Sequence, residues 1–182
     1  INHITTMSIY KDYIQEIKER KEHGLHPKPI DDGKLLSVMI EHIKDKDSSE
    51  RESSLNFFIY HVIPGTTSAA LIKAKFLKDI ILKKFILDEI SSDFAFELLS
   101  HMKGGPSVKV LIDLLLDSNP NNAQSAANIL KTQVFLYDAD MERLKNAYED
   151  DNSYAKEVLI SYSKAEFFTK LPEIEEEIKV VT

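Results

Sequence analysis

Apolar residues in this chain recur three and four positions apart, and cap and stop signals break the recurrences at short intervals. That pattern predicts helix throughout, because residues three and four apart share a helix face, whereas a strand face is met every second residue. Tyr10, Tyr13, Ile14 and Ile17 mark a first helix, with Ser8 as its N-cap and Gly24 just past its end. His26-Pro27-Lys28-Pro29 then forces an extended link, since each proline ring clashes with an α conformation of the residue before it. Asp31 or Asp32 caps a second helix carrying Leu35, Leu36, Met39, Ile40 and Ile43. A third carries Leu55, Phe58, Ile59 and Val62 and stops at Pro64-Gly65.

The same reading continues down the chain. Thr66, Thr67 or Ser68 caps a fourth helix running to about Lys84, and Ser91 or Ser92 caps a fifth that Gly104-Gly105 ends. Gly104-Gly105-Pro106 reads as a C-cap followed by proline in the next helix's first turn rather than as a phosphate loop, because it follows a helix and lacks the later lysine-serine pair. Asn119-Pro120 opens a seventh helix, Asp138 or Asp140 an eighth, and Asn152 or Ser153 a ninth. No strand is expected before Ile178, Val180 and Thr182, which alternate with Lys179 and Val181.

The fold class expected is therefore all-α, with about nine helices. Short links make consecutive helices antiparallel hairpins, arranged either as a HEAT-like α-α superhelix or as a compact bundle. No repeat of fixed period separates the two. Helices four to seven are apolar around much of their circumference and should be central. We read residues 1–6 as upstream of a natural start at Met7, 7–172 as the helical domain, and 173–182 as a linker and the first strand of a following domain.

Composition then narrows the chemistry. The chain has 182 residues and no cysteine, so it holds no disulfide, thiol nucleophile or thiolate-ligated metal. Its net charge of −7 opposes generic nucleic-acid binding, which needs a basic footprint. No apolar run approaches the ~20 residues that span a bilayer, and the first residues do not form a signal peptide. These features together point to the cytoplasm. None of the six histidines, His3, His23, His26, His42, His61 and His101, pairs with another His or an acid at metal-ligand spacing on one helix face. The acidic runs Glu149-Asp150-Asp151 and Glu175-Glu176-Glu177 read as solvated faces.

The fourth helix stands out. Lys73, Lys75, Lys78, Lys83 and Lys84 face one acid, Asp79, a local charge of five minus one, or +4. On a helical wheel Lys75 and Lys78 lie on the polar side, while Lys73 falls inside the apolar stripe of Ala69, Ile72, Phe76, Leu77 and Ile80. Lys73 must snorkel, find an acid or contact another domain. Lys73, Lys75 and Lys78 form the candidate interaction surface. No catalytic, cofactor-binding or metal-binding residue is assigned.

Four segments in order resemble the amino-terminal part of the bacterial aconitate hydratase B family, the bifunctional aconitase/2-methylisocitrate dehydratases. They are Glu19-Arg20-Lys21-Glu22-His23-Gly24-Leu25-His26-Pro27-Lys28-Pro29-Ile30-Asp31; Val62-Ile63-Pro64-Gly65 leading to Ile72-Lys73-Ala74-Lys75-Phe76-Leu77; Met102-Lys103-Gly104-Gly105 with Leu111-Ile112-Asp113; and Asn152-Ser153-Tyr154-Ala155-Lys156, continuing to Ala165-Glu166-Phe167-Phe168 and Pro172. The resemblance implies a HEAT-like accessory domain of an enzyme that interconverts citrate and isocitrate through cis-aconitate, in the tricarboxylic acid cycle, on a [4Fe–4S] cluster held by three cysteines. Those cysteines have no counterpart here, so the cluster is expected in later domains and the chain alone should be inactive.

The resemblance also implies roles in protein–protein recognition, dimerisation and active-site access. The expected partners are the remaining domains of the same polypeptide, a second copy and, for members that have lost the cluster, messenger RNA. No membrane is expected as a partner. The alternatives are a free-standing helical protein-interaction module and an RNA-binding regulatory domain that uses the lysines of the fourth helix.

Overall fold

A computed structural model describes residues 3–133 and 136–164. Among them lie nine helices and no strand: α1 His3–Glu22, α2 Gly33–Lys44, α3 Arg51–Tyr60, α4 Ser68–Ile81, α5 Ser92–Met102, α6 Gly105–Leu115, α7 Pro120–Leu130, α8 Asp138–Glu149 and α9 Ser153–Ser163. The all-α expectation holds. The strand expected at 178–182 lies outside the described residues, as does Val134, which its spacing from Ala123, Ala126, Ala127 and Leu130 puts on the seventh helix's apolar face. The chain divides into two units, Ile1–Phe76 and Leu77–Thr182, with the boundary inside α4.

In the first unit α2 packs against both α1 and α3. Its apolar residues Leu35, Leu36, Met39, Ile40 and Ile43 are all buried. The Asp32 carboxylate caps it by accepting from the Lys34 amide at 3.0 Å, which satisfies one of the donors every helix start leaves open. The first helix differs from its expected form. It begins at His3, with Ser8 inside it, because nothing between residues 3 and 8 blocks the extension of a helix already nucleated. Only Tyr10 and Tyr13 of its expected stripe are buried, and Ile14 is exposed. The α1 end is a Schellman turn, with Gly24 at φ +71° and the Leu25 amide donating to the Arg20 carbonyl at 2.8 Å.

Two extended links meet beside these helices. The Ile30 amide donates to the His61 carbonyl at 2.7 Å, and the Ile63 amide returns to the Ile30 carbonyl at 2.9 Å, an isolated parallel bridge between Ile30 and Val62. Val62 thus belongs to this bridge and not to α3. Next along the chain, the Gly33 amide donates to Ser68 Oγ at 2.8 Å, and the Ser68 hydroxyl donates to the Asp31 carbonyl at 3.2 Å. The start of α2 therefore lies directly on the start of α4. Thr67 is the α4 cap, accepting from the Ala70 amide at 3.1 Å.

In the second unit α6 contacts α5, α7 and α8, and α7 contacts α5, α6 and α9. Both α6 and α7 occupy the middle of this unit. Eight of the eleven α6 residues are buried, and only the narrow edge of Pro106, Lys109 and Asp113 meets solvent. Ser91, Asn119 and Asn152 cap α5, α7 and α9.

The helix ends depart from expectation. α4 stops at Ile81, short of Lys84. Lys83 takes the left-handed position at φ +62°, and the Lys84 amide closes on the Asp79 carbonyl at 2.9 Å. Asp151, at φ +65°, ends α8 in the same way, with the Asn152 amide on the Ala147 carbonyl at 3.0 Å. Gly104 is not the C-cap of α5. Lys103 holds that left-handed position at φ +47°, and Gly104 is instead the N-cap of α6. The Gly104 amide donates to Ser107 Oγ at 3.2 Å.

Candidate functional site

The structure gives the three candidate lysines three different environments. Lys73 is 6% exposed, and its Nζ donates to the Ile59 carbonyl at 3.1 Å. It also stands 5.6 Å from the centre of the Phe58 ring, whose negative face attracts a cation. Among the described residues no carboxylate lies within ion-pair distance of it. Burial without an anion pushes its pKa down to about 8. Lys73 is thus a structural cation held by a main-chain carbonyl and a ring, and neither a snorkelling group nor half of an ion pair.

Lys78 donates to Asp113 Oδ2 at 3.0 Å, while Arg143 takes Asp113 Oδ1 at 2.7 Å. That single carboxylate of α6 ties the end of α4 to α8. Lys75 remains exposed. The expected cationic surface therefore reduces to one open lysine, with the other two committed to internal contacts.

The first unit carries two concave surfaces that sequence reasoning missed. One, of about 440 Å³, lies between α1 and the α2–α3 link and is lined by Tyr10, His42, Asp45, Asp47 and Glu50 among others. Its floor is internally bonded. The Tyr10 hydroxyl and Ser53 Oγ are 2.7 Å apart, His42 Nδ1 lies 3.1 Å from Ser54 Oγ, and the Tyr10 and His42 rings meet edge to face at 4.8 Å. Ser54 is fully buried, so this serine–histidine contact cannot present a nucleophile to a substrate. The Ser49 hydroxyl, bonding Glu50, holds that carboxylate below its usual range.

The second surface is a groove of about 330 Å³ between α1 and residues 28–32. Ile9, Tyr13, Pro29, Ile30 and Leu35 line it, rimmed by Asp12, Glu16, Asp31 and Asp32, with Lys28 also at its wall. The Tyr13 hydroxyl donates to the Lys28 carbonyl at 3.1 Å, and this fixes the link against the helix. Burial first, and the Glu16 charge second, raise the Tyr13 phenol to about 12. One signal in the sequence announced this rim, the like-charged pair Asp12 and Glu16 at i,i+4.

Metal and redox chemistry find little to use. With no cysteine in the chain, and among the described residues no group of three or more His, Asp or Glu able to hold a metal ion, the residues present do not fit an iron–sulfur cluster. His23 Nδ1 instead bonds the Glu19 carbonyl at the end of α1, 2.8 Å away. Among the described residues no helix is long and apolar enough to cross a membrane.

Comparison with known proteins agrees over most of the chain. The family model described as the aconitate B N-terminal domain matches residues 12–168. Aconitate hydratase B of Salmonella typhimurium is 33% identical over 172 residues, covering 93% of this chain and 19% of the relative. The Escherichia coli protein of that name is 32% identical over the same coverage, and that of Helicobacter pylori 34% identical over 158 residues, or 87% of this chain and 18% of the relative. The chain thus spans about a fifth of the length of the relatives it matches.

Proposed function

The chain belongs to the aconitate B N-terminal domain family, and from that membership we propose that it is the non-catalytic helical accessory domain of an aconitate hydratase. The observation that carries this reading is coverage: nearly all of the chain aligns with a fifth of enzymes named aconitate hydratase B. In this reading the parent polypeptide hydrates and dehydrates citrate and isocitrate through cis-aconitate in the cytoplasm. Its [4Fe–4S] cluster sits in domains beyond this one, in keeping with the absence of cysteine here.

The domain's own work is protein–protein recognition. It docks on the remaining domains of its polypeptide, shapes access to their active site and contributes to dimerisation. Grooved helical surfaces with internally bonded side chains, such as Tyr10 on Ser53 and Tyr13 on the Lys28 carbonyl, support that role. The RNA-binding alternative has less support, since the chain's net charge is −7 and Lys78, on the polar side of the fourth helix, is already paired with Asp113.

The test is direct. The purified chain should not convert citrate or isocitrate to cis-aconitate, and deleting the segment from the parent enzyme should change KM or the oligomeric state while the cluster's absorbance persists. Turnover by the isolated chain would overturn the reading.

A further inference from the structure

The groove between α1 and residues 28–32 combines two properties that solvent alone does not favour. Its floor is apolar, built from Ile9 and Pro29 over the buried Ile30 and Leu35, while four carboxylates stand around it. Among the described residues Asp12, Glu16 and Asp31 form no ion pair, and Asp32 bonds only the Lys34 amide of its own helix start. Asp12 and Glu16 stack one turn apart on α1, a like-charge spacing that costs a helix a few tenths of a kcal/mol. The single cationic side chain at the wall is Lys28, so the rim carries four negative charges against one positive.

Much of the link's backbone is already committed. Ile30 uses both its main-chain groups on residues 61 and 63, the Asp31 carbonyl accepts from Ser68 and Ala69, and Pro27 and Pro29 have no amide to give. An occupant is therefore held chiefly by side chains, with an aliphatic group on the floor and cations reaching the rim.

We propose that this groove docks a short basic–apolar polypeptide segment, in which arginine or lysine flanks an aliphatic residue. Charge complementarity sets the partner's sign, and the apolar floor sets the residue between the cations. This assignment rests on the reading of the domain as a recognition module and names one surface that does the recognising. An arginine would span two carboxylates better than a lysine, since its planar fork offers paired donors where an ammonium is a point charge.

The experiment is fluorescence anisotropy of the 182-residue chain with labelled peptides alternating leucine with arginine, leucine with lysine, and leucine with glutamate. The arginine and lysine peptides should bind, more weakly as salt rises, and the glutamate peptide should not. Asp12→Lys/Glu16→Lys, at two exposed helix positions, should weaken binding by about tenfold or more with the helical circular dichroism unchanged. Asp45→Lys/Asp47→Lys, in the other cleft, should leave binding as it was.

Failure of both basic peptides to bind, equal binding of the glutamate peptide, or equal loss in the two double variants would overturn the proposal. The opposite flank of α1 carries Ile4, Met7 and Ile14 among Lys11 and Lys18, so a second copy also has suitable chemistry. A concentration-dependent dimer lost both with Asp12→Lys/Glu16→Lys and with Lys11→Glu/Lys18→Glu would overturn the proposal in favour of that occupant. None of these outcomes concerns turnover, so failure here is distinguishable from failure of the accessory-domain reading.

Discussion

Lys73 of α4 donates its ammonium proton to the Ile59 carbonyl in the last turn of α3, 3.1 Å away and almost wholly shielded from water. Carbonyls at a helix C-terminus carry the negative end of the helix dipole, so the contact replaces part of the lost hydration but not all of it. The uncompensated remainder is what lowers the pKa to about 8.

Stability should therefore depend on pH through this lysine. The folded pKa is about 8 and the unfolded value 10.5, so between them the unfolded chain binds more protons and stability rises with pH. Below about 8 the full desolvation penalty, on the order of 3 kcal/mol, is present. Above 10.5 it is gone. Urea unfolding of the wild type and Lys73→Met across this window should show the wild type gaining on the variant by up to about 3 kcal/mol. A stability difference independent of pH would refute the assignment.

Gly33→Ala tests the approach of α2 to α4. A Cβ at Gly33 would stand 3.1 Å from the Ser68 carbonyl oxygen and 3.2 Å from Ile72 Cγ1. The Ile72 methylene can yield, but the Ser68 backbone is held where its side chain bonds Gly33 and Asp31. Alanine normally gains about 1 kcal/mol over glycine inside a helix. Here the substitution should instead lose about 1–2 kcal/mol to strain, read from the urea midpoint.

Asp113 joins Lys78 and Arg143, and the three side chains are each about a third exposed, at 34%, 30% and 39%. Solvent screens such pairs, so Asp113→Ala should cost about 1 kcal/mol and less in high salt. The informative number is the coupling. A double-mutant cycle with Lys78→Ala and Arg143→Ala should be non-additive, since both cations lean on one carboxylate.

Three left-handed helix ends lack glycine among the described residues, at Lys83, Lys103 and Asp151. Lys83→Gly and Asp151→Gly should each raise stability by about 0.5–1 kcal/mol, because glycine adopts φ near +60° without the Cβ clash. The two sites belong to different turns, so thermal unfolding of the double variant should show the sum.

These same ends show where sequence reasoning stops. The starts of α2, α4, α5, α7 and α9 were legible because Asp32, Thr67, Ser91, Asn119 and Asn152 advertise a side-chain oxygen where a helix needs an acceptor. Lys83, Lys103 and Asp151 advertise nothing, since an L-residue turns left-handed only when its surroundings require it. Lys73 was visible as a lysine in an apolar stripe, but its partner was not, because a main-chain carbonyl leaves no mark in the residue string. Asp113 and its two cations are 35 and 30 residues apart, beyond any local spacing rule. The acidic groove needed α1 laid beside residues 28–32, a pairing that only tertiary structure supplies.

The bridge between Ile30 and Val62 bears on how this region opens. Its two hydrogen bonds join the segment entering α2 to the segment leaving α3, closing the helical pair into a ring of main chain. With the ends fastened, neither helix can fray outward from the link without breaking the clasp, so both should open together rather than turn by turn. The amide protons of Ile30 and Ile63, although they belong to irregular backbone, should therefore exchange with solvent deuterium as slowly as those in the middle of α2.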